Sequence, residues 1–300
     1  MPLVRTADLV EAARSAGTAV AAFNVITLEH AEAIAVGAQR ARLPAILQIS
    51  HNAVRFHGGQ PEAIAAAAGA VARASDARLS LHLDHVETFE LLQQAAAAGF
   101  SSAMFDAGAL PYSENVEATR AAADWAHGAG LWLEAELGYV GGKPGAPASA
   151  HAAGVRTDPD EAAAYVAATG VDALAVAVGS SHAMTERTAA IDHDLIARLR
   201  DAVPVPLVLH GSSGVSDADL RAAVAAGIVK VNIGTALNIR FTGAVRQALA
   251  DTASVDPRKY LAPGRTAMAD VVDVLLRTVS LGAVSMRAGV RQNAAPPANV

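Results

Sequence analysis

Short apolar runs alternate with helix-like stretches along almost the whole chain, and this alternation restricts the fold more than any other feature of the sequence. Eight runs have the length and apolar content of buried strands: 19–25, 45–50, 79–85, 101–105, 131–137, 173–178, 206–210 and 229–233. Each is followed by a stretch with apolar residues at helical spacing: 28–42, 62–74, 88–98, 114–127, 159–168, 192–203, 217–226 and 236–250. Such an alternation predicts a parallel sheet whose faces are covered by helices.

Eight strand-like runs predict an α/β fold of the (β/α)8 TIM-barrel type, formed as one domain by residues 1–300. Helical spacing around 265–281 adds a C-terminal helical extension within about residues 257–290. A doubly wound open sheet is the alternative. It is less favoured because candidate functional residues end seven of the runs, whereas an open sheet gathers its site at one switch point.

The composition excludes several classes of function. The formal net charge is −6 and no basic stripe occurs, so a nucleic-acid partner is not expected. No stretch approaches the about 20 apolar residues of a membrane span, which favours a cytoplasmic protein. Since the sequence has no cysteine, any metal must be held by histidine and carboxylate side chains.

Three of the strand-like runs end at or just before a histidine, namely His85, His182 and His210. In a barrel these three side chains meet at one mouth, where three imidazoles bind zinc and leave a coordination position open. Each histidine alone is more often a structural residue. Asp84 precedes the first of them, and it is either a general acid or base or a partner that orients His85. His82 is expected to point away from the site.

Three more carboxylates lie at or near strand ends. Glu134 and Glu136 alternate along one run, so they share a face, and Asp106 ends the run before it. They are expected either to orient the metal-binding histidines or to be buried acids held by hydrogen bonds.

Small residues follow the last two runs. Gly211, Ser212 and Ser213 follow His210 at the end of the seventh run, and Gly234 and Thr235 follow the eighth run. In barrels of this type backbone N–H groups at this position bind phosphate, helped by the helix that starts there. The same residues are also common in ordinary turns, so their position carries the interpretation.

Short motifs in a fixed order extend this pattern over nearly the whole chain: AFNV at 22–25, LHLDH at 81–85, MFD at 104–106, EAELG at 134–138, TDP at 157–159, SH at 181–182, LHG at 209–211, KVNIGT at 230–235 and PRKYL at 257–261. The set resembles the class II, zinc-dependent ketose-bisphosphate aldolases, in the branch of tagatose- and fructose-bisphosphate aldolases.

This resemblance implies an enzyme of carbohydrate metabolism such as glycolysis. It would cleave a ketose 1,6-bisphosphate of the fructose or tagatose type reversibly into dihydroxyacetone phosphate and an aldose phosphate, through a metal-stabilised enediolate. It further implies one Zn2+ per subunit, a monovalent cation (Na+ or K+) and a homodimer or homotetramer.

The resemblance also assigns roles to single residues. Asp84 would exchange a proton with the C4 hydroxyl of the sugar. The phosphate of dihydroxyacetone phosphate would be held by residues after the last two strands: Gly211, Ser213, Asn232 and Thr235. Asn24 and Ser50 would lie near the substrate, and Arg258 would bind the distal phosphate.

The sequence departs from the family in two places. The lid loop, about 139–157, contains no Asp or Glu where the family has an acid, and His151 is the expected substitute. Ala183 replaces a glycine after the second metal histidine, and residues 185–187 replace the region of a lysine. These changes leave open a related aldolase with a different aldehyde partner. They also leave open a sugar-phosphate-binding barrel without catalysis, although a binder needs no base at position 84.

Overall fold

A computed structural model describes residues 3–138, 156–250 and 255–282. Within these residues each strand pairs in parallel with the next, and the last pairs with the first, so the sheet closes into a barrel. The strands are β1 (Val20–Asn24), β2 (Ala45–Ser50), β3 (Leu79–Val86), β4 (Ser102–Phe105), β5 (Trp132–Leu137), β6 (Ala173–Val176), β7 (Leu207–Leu209) and β8 (Ile228–Ile233). This confirms the predicted (β/α)8 barrel.

The helices surround this barrel: α1 (Thr6–Ser15), α2 (Leu28–Ala41), α3 (His51–Phe56), α4 (Glu62–Ala74), α5 (Phe89–Gln94), α6 (Tyr112–Gly128), α7 (Pro159–Thr169), α8 (His193–Ala202), α9 (Asp217–Ala226), α10 (Thr235–Ala250) and α11 (Pro257–Val279). Several begin at residues whose side chains accept backbone N–H groups of the first turn, such as Asp158, Asp192 and Ser216. The predicted C-terminal extension is α11. None of the helices in the described residues is both long enough and apolar enough to cross a membrane.

Helix α1, which the sequence patterns did not predict, packs against the end of the barrel opposite the strand ends that carry the histidines. Leu9 and Val10 are buried there against Val20, Ile46 and Val229. The helix therefore extends the apolar core below the polar part of the barrel interior.

Helix α11 returns the chain to the barrel and packs along α2. Gly37 of α2 is needed for this contact, since a Cβ at this position would lie 2.5 Å from Cγ1 of Val272. At the end of α11 the carbonyl of Val279 accepts a hydrogen bond from the backbone N–H of Ala19, directly before β1. The extension is therefore joined to the barrel by both packing and backbone hydrogen bonding.

The upper part of the barrel interior is polar. Parallel strands covered on both faces are usually continuous apolar runs, yet Gln48, His82, Glu134 and Lys230 are buried within theirs. Glu134 of β5 bonds to Lys230 of β8, and side chains of these strands meet only across the interior. The candidate site lies next to this layer of buried polar side chains.

Candidate active site

The structure brings His85, His182 and His210 together at the mouth of the barrel. One ring nitrogen of each lies within 4.8 Å of the corresponding nitrogens of the other two. The ring centroids are 4.9 to 5.8 Å apart. Three converging imidazole nitrogens, from β3 and from the segments after β6 and β7, fit the donor set of a catalytic zinc site. Metal binding itself stays a prediction.

A local kink in β3 allows two adjacent residues to reach the mouth. The pairing of β3 with β4 shifts in register between Leu83 and Val86, and His85 has a φ of 49°. In a regular strand Asp84 and His85 would point to opposite faces. A non-glycine residue in the left-handed region costs about 1 to 2 kcal/mol, a strain typical of functional sites.

The ring of His85 is oriented by Asp106, whose Oδ2 lies 2.8 Å from Nδ1. This hydrogen bond leaves Nε2 directed to the other side, where Asp84 Oδ2 is 3.9 Å away. Carboxylates commonly orient metal-binding histidines through the second ring nitrogen in this way. Asp106 therefore occupies the position expected for a residue that orients His85.

His210 lies in a buried network of charges. Its Nε2 is 2.9 Å from Oε1 of Glu134, whose Oε2 accepts a hydrogen bond from Lys230 Nζ at 2.7 Å. Its Nδ1 lies 2.7 Å from Oε2 of Glu136. Because Glu134 holds Nε2, Nδ1 is the nitrogen that would face a metal ion, and Glu136 lies beside that position.

The charges of this network control its protonation. Burial would lower the pKa of His210, but hydrogen bonds to Glu134 and Glu136 raise that pKa to about 9. Burial would also raise the pKa of Glu134, and Lys230 together with His210 instead hold it well below its usual range. Without a metal the imidazole is therefore positively charged at neutral pH.

Asp84 lies in a different environment, made of uncharged groups. Gln48 Nε2 donates to its Oδ2 at 3.1 Å, and Asn232 Nδ2 donates to its Oδ1 at 3.4 Å. The same Gln48 nitrogen donates to Asn24 Oδ1 at 2.9 Å. The carboxylate is thus held by two amides while it faces the histidine cluster.

The expectation that His82 points away from the site is wrong. Residues 82 and 84 lie two apart on one strand, so both face the interior, and His82 Nε2 is 3.8 Å from Asp84 Oδ1. Burial and the nearby Lys230 ammonium hold the pKa of His82 well below its ordinary value. The imidazole is therefore neutral.

The turn after β7 has the close backbone approach expected of a phosphate site. Gly211 has a φ of 66°, and a Cβ there would lie 2.6 Å from the backbone of Ser181. Ser213 Oγ accepts a hydrogen bond from the backbone N–H of Ala236, whereas the Ser212 hydroxyl donates to the carbonyl of Leu209. The turn is thereby tied to the start of α10.

The start of α10 approaches β1 closely as well. A Cβ on Gly234 would lie 3.1 Å from the side-chain amide carbon of Asn24. Thr235 is the first residue of the helix, and a helix N-terminus favours anions. Asn24, Asn232, Gly234 and Thr235 are therefore close neighbours at one side of the mouth.

Three other predicted residues have different surroundings. Ser50 Oγ accepts the backbone N–H of Ala53 and caps α3, beside Asp84 in the sheet register. Arg258 is exposed at the first turn of α11, and its side-chain hydrogen bonds within the described residues all go to Asp256. His151 lies outside the described residues, as does most of the predicted lid loop. The roles of these residues stay predictions.

Two buried polar residues of the site, Gln48 and Lys230, were not assigned a role from the sequence. Each interrupts an otherwise apolar strand, in the contexts Ile-Leu-Gln-Ile and Val-Lys-Val. A polar residue inside a strand covered on both faces must be hydrogen-bonded in the interior. That rule is the signal that identifies them.

Comparisons with known proteins agree with this fold. The chain matches the family described as fructose-bisphosphate aldolase class-II over residues 4–281. It is similar to the crystal structure of the YdjI aldolase from Escherichia coli K12, with 31% sequence identity and a TM-score of 0.78, covering 92% of this chain and 97% of that one. A fructose-bisphosphate aldolase structure from Campylobacter jejuni, 22% identical, supports the fold with a TM-score of 0.78, covering 93% and 95% of the two chains.

Proposed function

Because the chain belongs to the class II fructose-bisphosphate aldolase family and is an aldolase, we propose that it cleaves a ketose 1,6-bisphosphate reversibly. The products would be dihydroxyacetone phosphate and an aldose phosphate, from a substrate of the fructose or tagatose type. The observation that carries the proposal is the position of Asp84. Its carboxylate, held by uncharged amides, lies 3.9 Å from the metal-facing nitrogen of His85.

The residues present fit a zinc ion. His85, His182 and His210 offer three imidazole nitrogens, and Asp106 and Glu134 orient two of the rings. When bound, zinc would polarise the carbonyl oxygen of the substrate. The sequence has no cysteine, so the site offers no thiolate that would favour a softer metal ion.

Asp84 would act as the base that takes the proton of the C4 hydroxyl while the bond between C3 and C4 breaks. In the direction of synthesis it would return that proton. Gln48 and Asn232 orient the carboxylate by donating to its two oxygens. Both donors are neutral, so they orient the carboxylate of the proposed base without forming an ion pair with it.

The phosphate of dihydroxyacetone phosphate would bind at the turns after β7 and β8. The residues proposed to hold it, through backbone N–H groups and short polar side chains, are Gly211, Ser212, Ser213, Asn232, Gly234 and Thr235. The close backbone approach at Gly211 and the start of α10 at Thr235 support this position. Asn24 and Ser50 would contact the rest of the substrate, and Arg258 the distal phosphate.

Further parts of the proposal come from the family alone. They are a monovalent cation (Na+ or K+), a homodimeric or homotetrameric assembly, a cytoplasmic location and a place in glycolysis or a similar pathway of carbohydrate metabolism. His151 is proposed to move the proton at the reacting carbon of dihydroxyacetone phosphate. Normal turnover of His151→Gln would contradict that role.

The test is coupled release of dihydroxyacetone phosphate from fructose 1,6-bisphosphate and tagatose 1,6-bisphosphate. Turnover should disappear with a chelator and return with added zinc. Asp84→Asn should lower kcat by about 100- to 10,000-fold, the usual contribution of a general base, at unchanged zinc content. Asp124→Asn, on the exposed side of α6, is the matched control and should keep normal turnover. Protein that holds stoichiometric zinc and cleaves neither sugar would contradict the proposal.

A second candidate is an aldolase with the same base and a different aldehyde partner. Arg187 lies where the family resemblance leads one to expect a lysine, but its Nε donates to the carbonyl of Val215 and its guanidinium pairs with Asp217. A guanidinium engaged in this way is poorly placed to bind a substrate phosphate. Condensation of dihydroxyacetone phosphate with a panel of phosphorylated and unphosphorylated aldehydes separates the two candidates.

A further inference from the structure

A chain of buried hydroxyl groups connects helix α1 with the interior of the barrel. His82 Nδ1 lies 2.8 Å from Oγ of Ser102. The Ser102 hydroxyl donates to Oγ1 of Thr6 at 2.7 Å, and the Thr6 hydroxyl donates to Oγ of Ser80 at 3.1 Å. All four side chains are buried.

This chain determines which nitrogen of His82 carries the proton. A hydroxyl group has a single hydrogen, and that of Ser102 is already donated to Thr6. Ser102 can therefore only accept a hydrogen bond from His82, so Nδ1 must be the protonated nitrogen. In the neutral ring Nε2 is then an acceptor.

The acceptor nitrogen faces another acceptor. Nε2 of His82 is 3.8 Å from Oδ1 of Asp84 and has no hydrogen-bond partner within the described residues. Buried acceptors without a donor are costly, and a bound water is the smallest group that supplies two donors.

We propose that His82 is a positioning residue that binds one buried water against Asp84. The water donates one hydrogen to His82 Nε2 and the other to Asp84 Oδ1. The hydroxyl chain makes this possible because it keeps the proton on Nδ1. Asp84 is then held from below by the water and by the amides of Gln48 and Asn232, with its orientation toward the mouth preserved. The catalytic consequence rests on the proposed role of Asp84; the water site and the tautomer do not.

The tautomer is measured directly by NMR of the full chain with 15N- and 13C-labelled histidine. The ten histidines are resolved by comparison with His82→Gln, which removes one set of signals. We expect His82 to carry its proton on Nδ1 and to have an unprotonated Nε2. A proton on Nε2 would overturn the proposal. High-resolution diffraction should show a water within hydrogen-bond distance of Nε2 and Asp84 Oδ1, and its absence would also overturn it.

The positioning role is tested with Ser102→Ala, which removes the acceptor of the Nδ1 proton. We expect kcat to fall about tenfold with KM changed less than twofold, together with loss of the pure Nδ1–H signal. Ser102→Thr, which keeps a hydroxyl, should restore both. Ser280→Ala is the matched control, because this serine is also buried but its hydroxyl donates to the carbonyl of Arg277 at the end of α11, outside the hydroxyl chain. An altered tautomer with unchanged kcat would contradict the positioning role.

These measurements distinguish failure of this inference from failure of the proposed function. A protein that shows the Nδ1–H tautomer and the water but cleaves no ketose bisphosphate contradicts the proposed function alone. An active aldolase whose His82 carries its proton on Nε2 contradicts this inference alone.

Discussion

The two sides of the barrel mouth hold their key residues in opposite ways. On the side of β5, β7 and β8, His210 is held by full charges, in a buried network with Glu134, Glu136 and Lys230. On the side of β2 and β3, Asp84 is held by neutral groups: the amide of Gln48, the amide of Asn232 from the adjoining end of β8 and, at 3.8 Å, the uncharged His82.

The difference fits the role that the proposed function gives to each side. A metal ligand must keep its position against the pull of the ion, and carboxylate partners increase its basicity. A general base must point at its substrate, and neutral hydrogen-bond donors orient a carboxylate without forming an ion pair with it. Under the proposed function, the charged side would supply a fixed metal ligand, and the neutral side would supply the base that exchanges a proton with the substrate.

The largest effect is expected from breaking the charged side at Lys230. Lys230→Met leaves the buried carboxylate of Glu134 without its cation, so the free energy of unfolding should fall by about 3 to 5 kcal/mol. Urea unfolding measures this. Lys259→Met, on the exposed surface of α11, is the control and should change stability by less than about 0.5 kcal/mol. The double variant Lys230→Met with Glu134→Gln should recover part of the loss, and no recovery would contradict the pairing.

A smaller effect is expected on the neutral side. Gln48→Leu removes a donor to Asp84 and to Asn24, and hydrogen bonds to charged groups contribute about 1.5 to 3 kcal/mol. Stability should fall by about 2 kcal/mol and kcat by about tenfold, measured by urea unfolding and by the coupled assay. Gln93→Leu, exposed on α5, is the control. Full activity of Gln48→Leu would show that Asp84 needs no amide support.

The pH dependence of zinc binding tests the charged side of the mouth in a second way. The proton on His210 must leave before Nδ1 can bind a metal, and its pKa is raised to about 9 by Glu134 and Glu136. Apparent zinc affinity should therefore rise with pH, by about tenfold or 1.4 kcal/mol per unit, up to about pH 9. Competition with a chromophoric chelator measures it. In Glu136→Gln the rise should end at a lower pH, and a flat profile in the native protein would contradict the charged network.

The smallest effect concerns the backbone beside His182, a proposed metal ligand. Ala183, next to His182, has a φ of 58°, and so has Arg42 at the end of α2, far from the site in the fold. Replacing either by glycine should stabilise the fold by up to about 1 kcal/mol, because the left-handed conformation no longer strains a side chain. Thermal unfolding measures this. Only Ala183→Gly should also change zinc affinity, and an effect of Arg42→Gly on zinc would contradict the local origin of the change.

Much of the fold follows from local patterns, and the exceptions have physical causes. Helix α11 begins at Pro257, earlier than the spacing around residue 265 indicates, because Pro263 lies inside it and reads as a helix boundary. Helix α1 has a mixed composition, and its burial depends on the barrel end that it covers. Helix α3 is a single short segment capped by Ser50, too short for a periodic signal.

The grouping of the candidate site residues was predictable, because parallel strands of a barrel place their carboxyl ends at one mouth. The inward facing of Gln48 and Lys230 was harder to predict, since strands covered on both faces do not alternate between polar and apolar residues. The orientation of His82 was predictable from the period of two along a strand. Asp84 and His85 were expected at the same mouth because both end β3, but the kink of β3 that lets two adjacent residues face it was not predicted.

The amino-acid pattern alone predicts the number and order of the strands, the cluster of His85, His182 and His210 next to Asp84, and the family. Periodicity and strand-end position are local properties, so they can be read from the chain. The groups that surround these residues follow only from the three-dimensional structure. His210 has charged partners, Asp84 has neutral partners, and His82 is bonded to a chain of hydroxyl groups. These contacts join residues far apart in the chain: closure of the barrel brings Glu134 to Lys230, and packing of α1 on the barrel end brings Thr6 to Ser102.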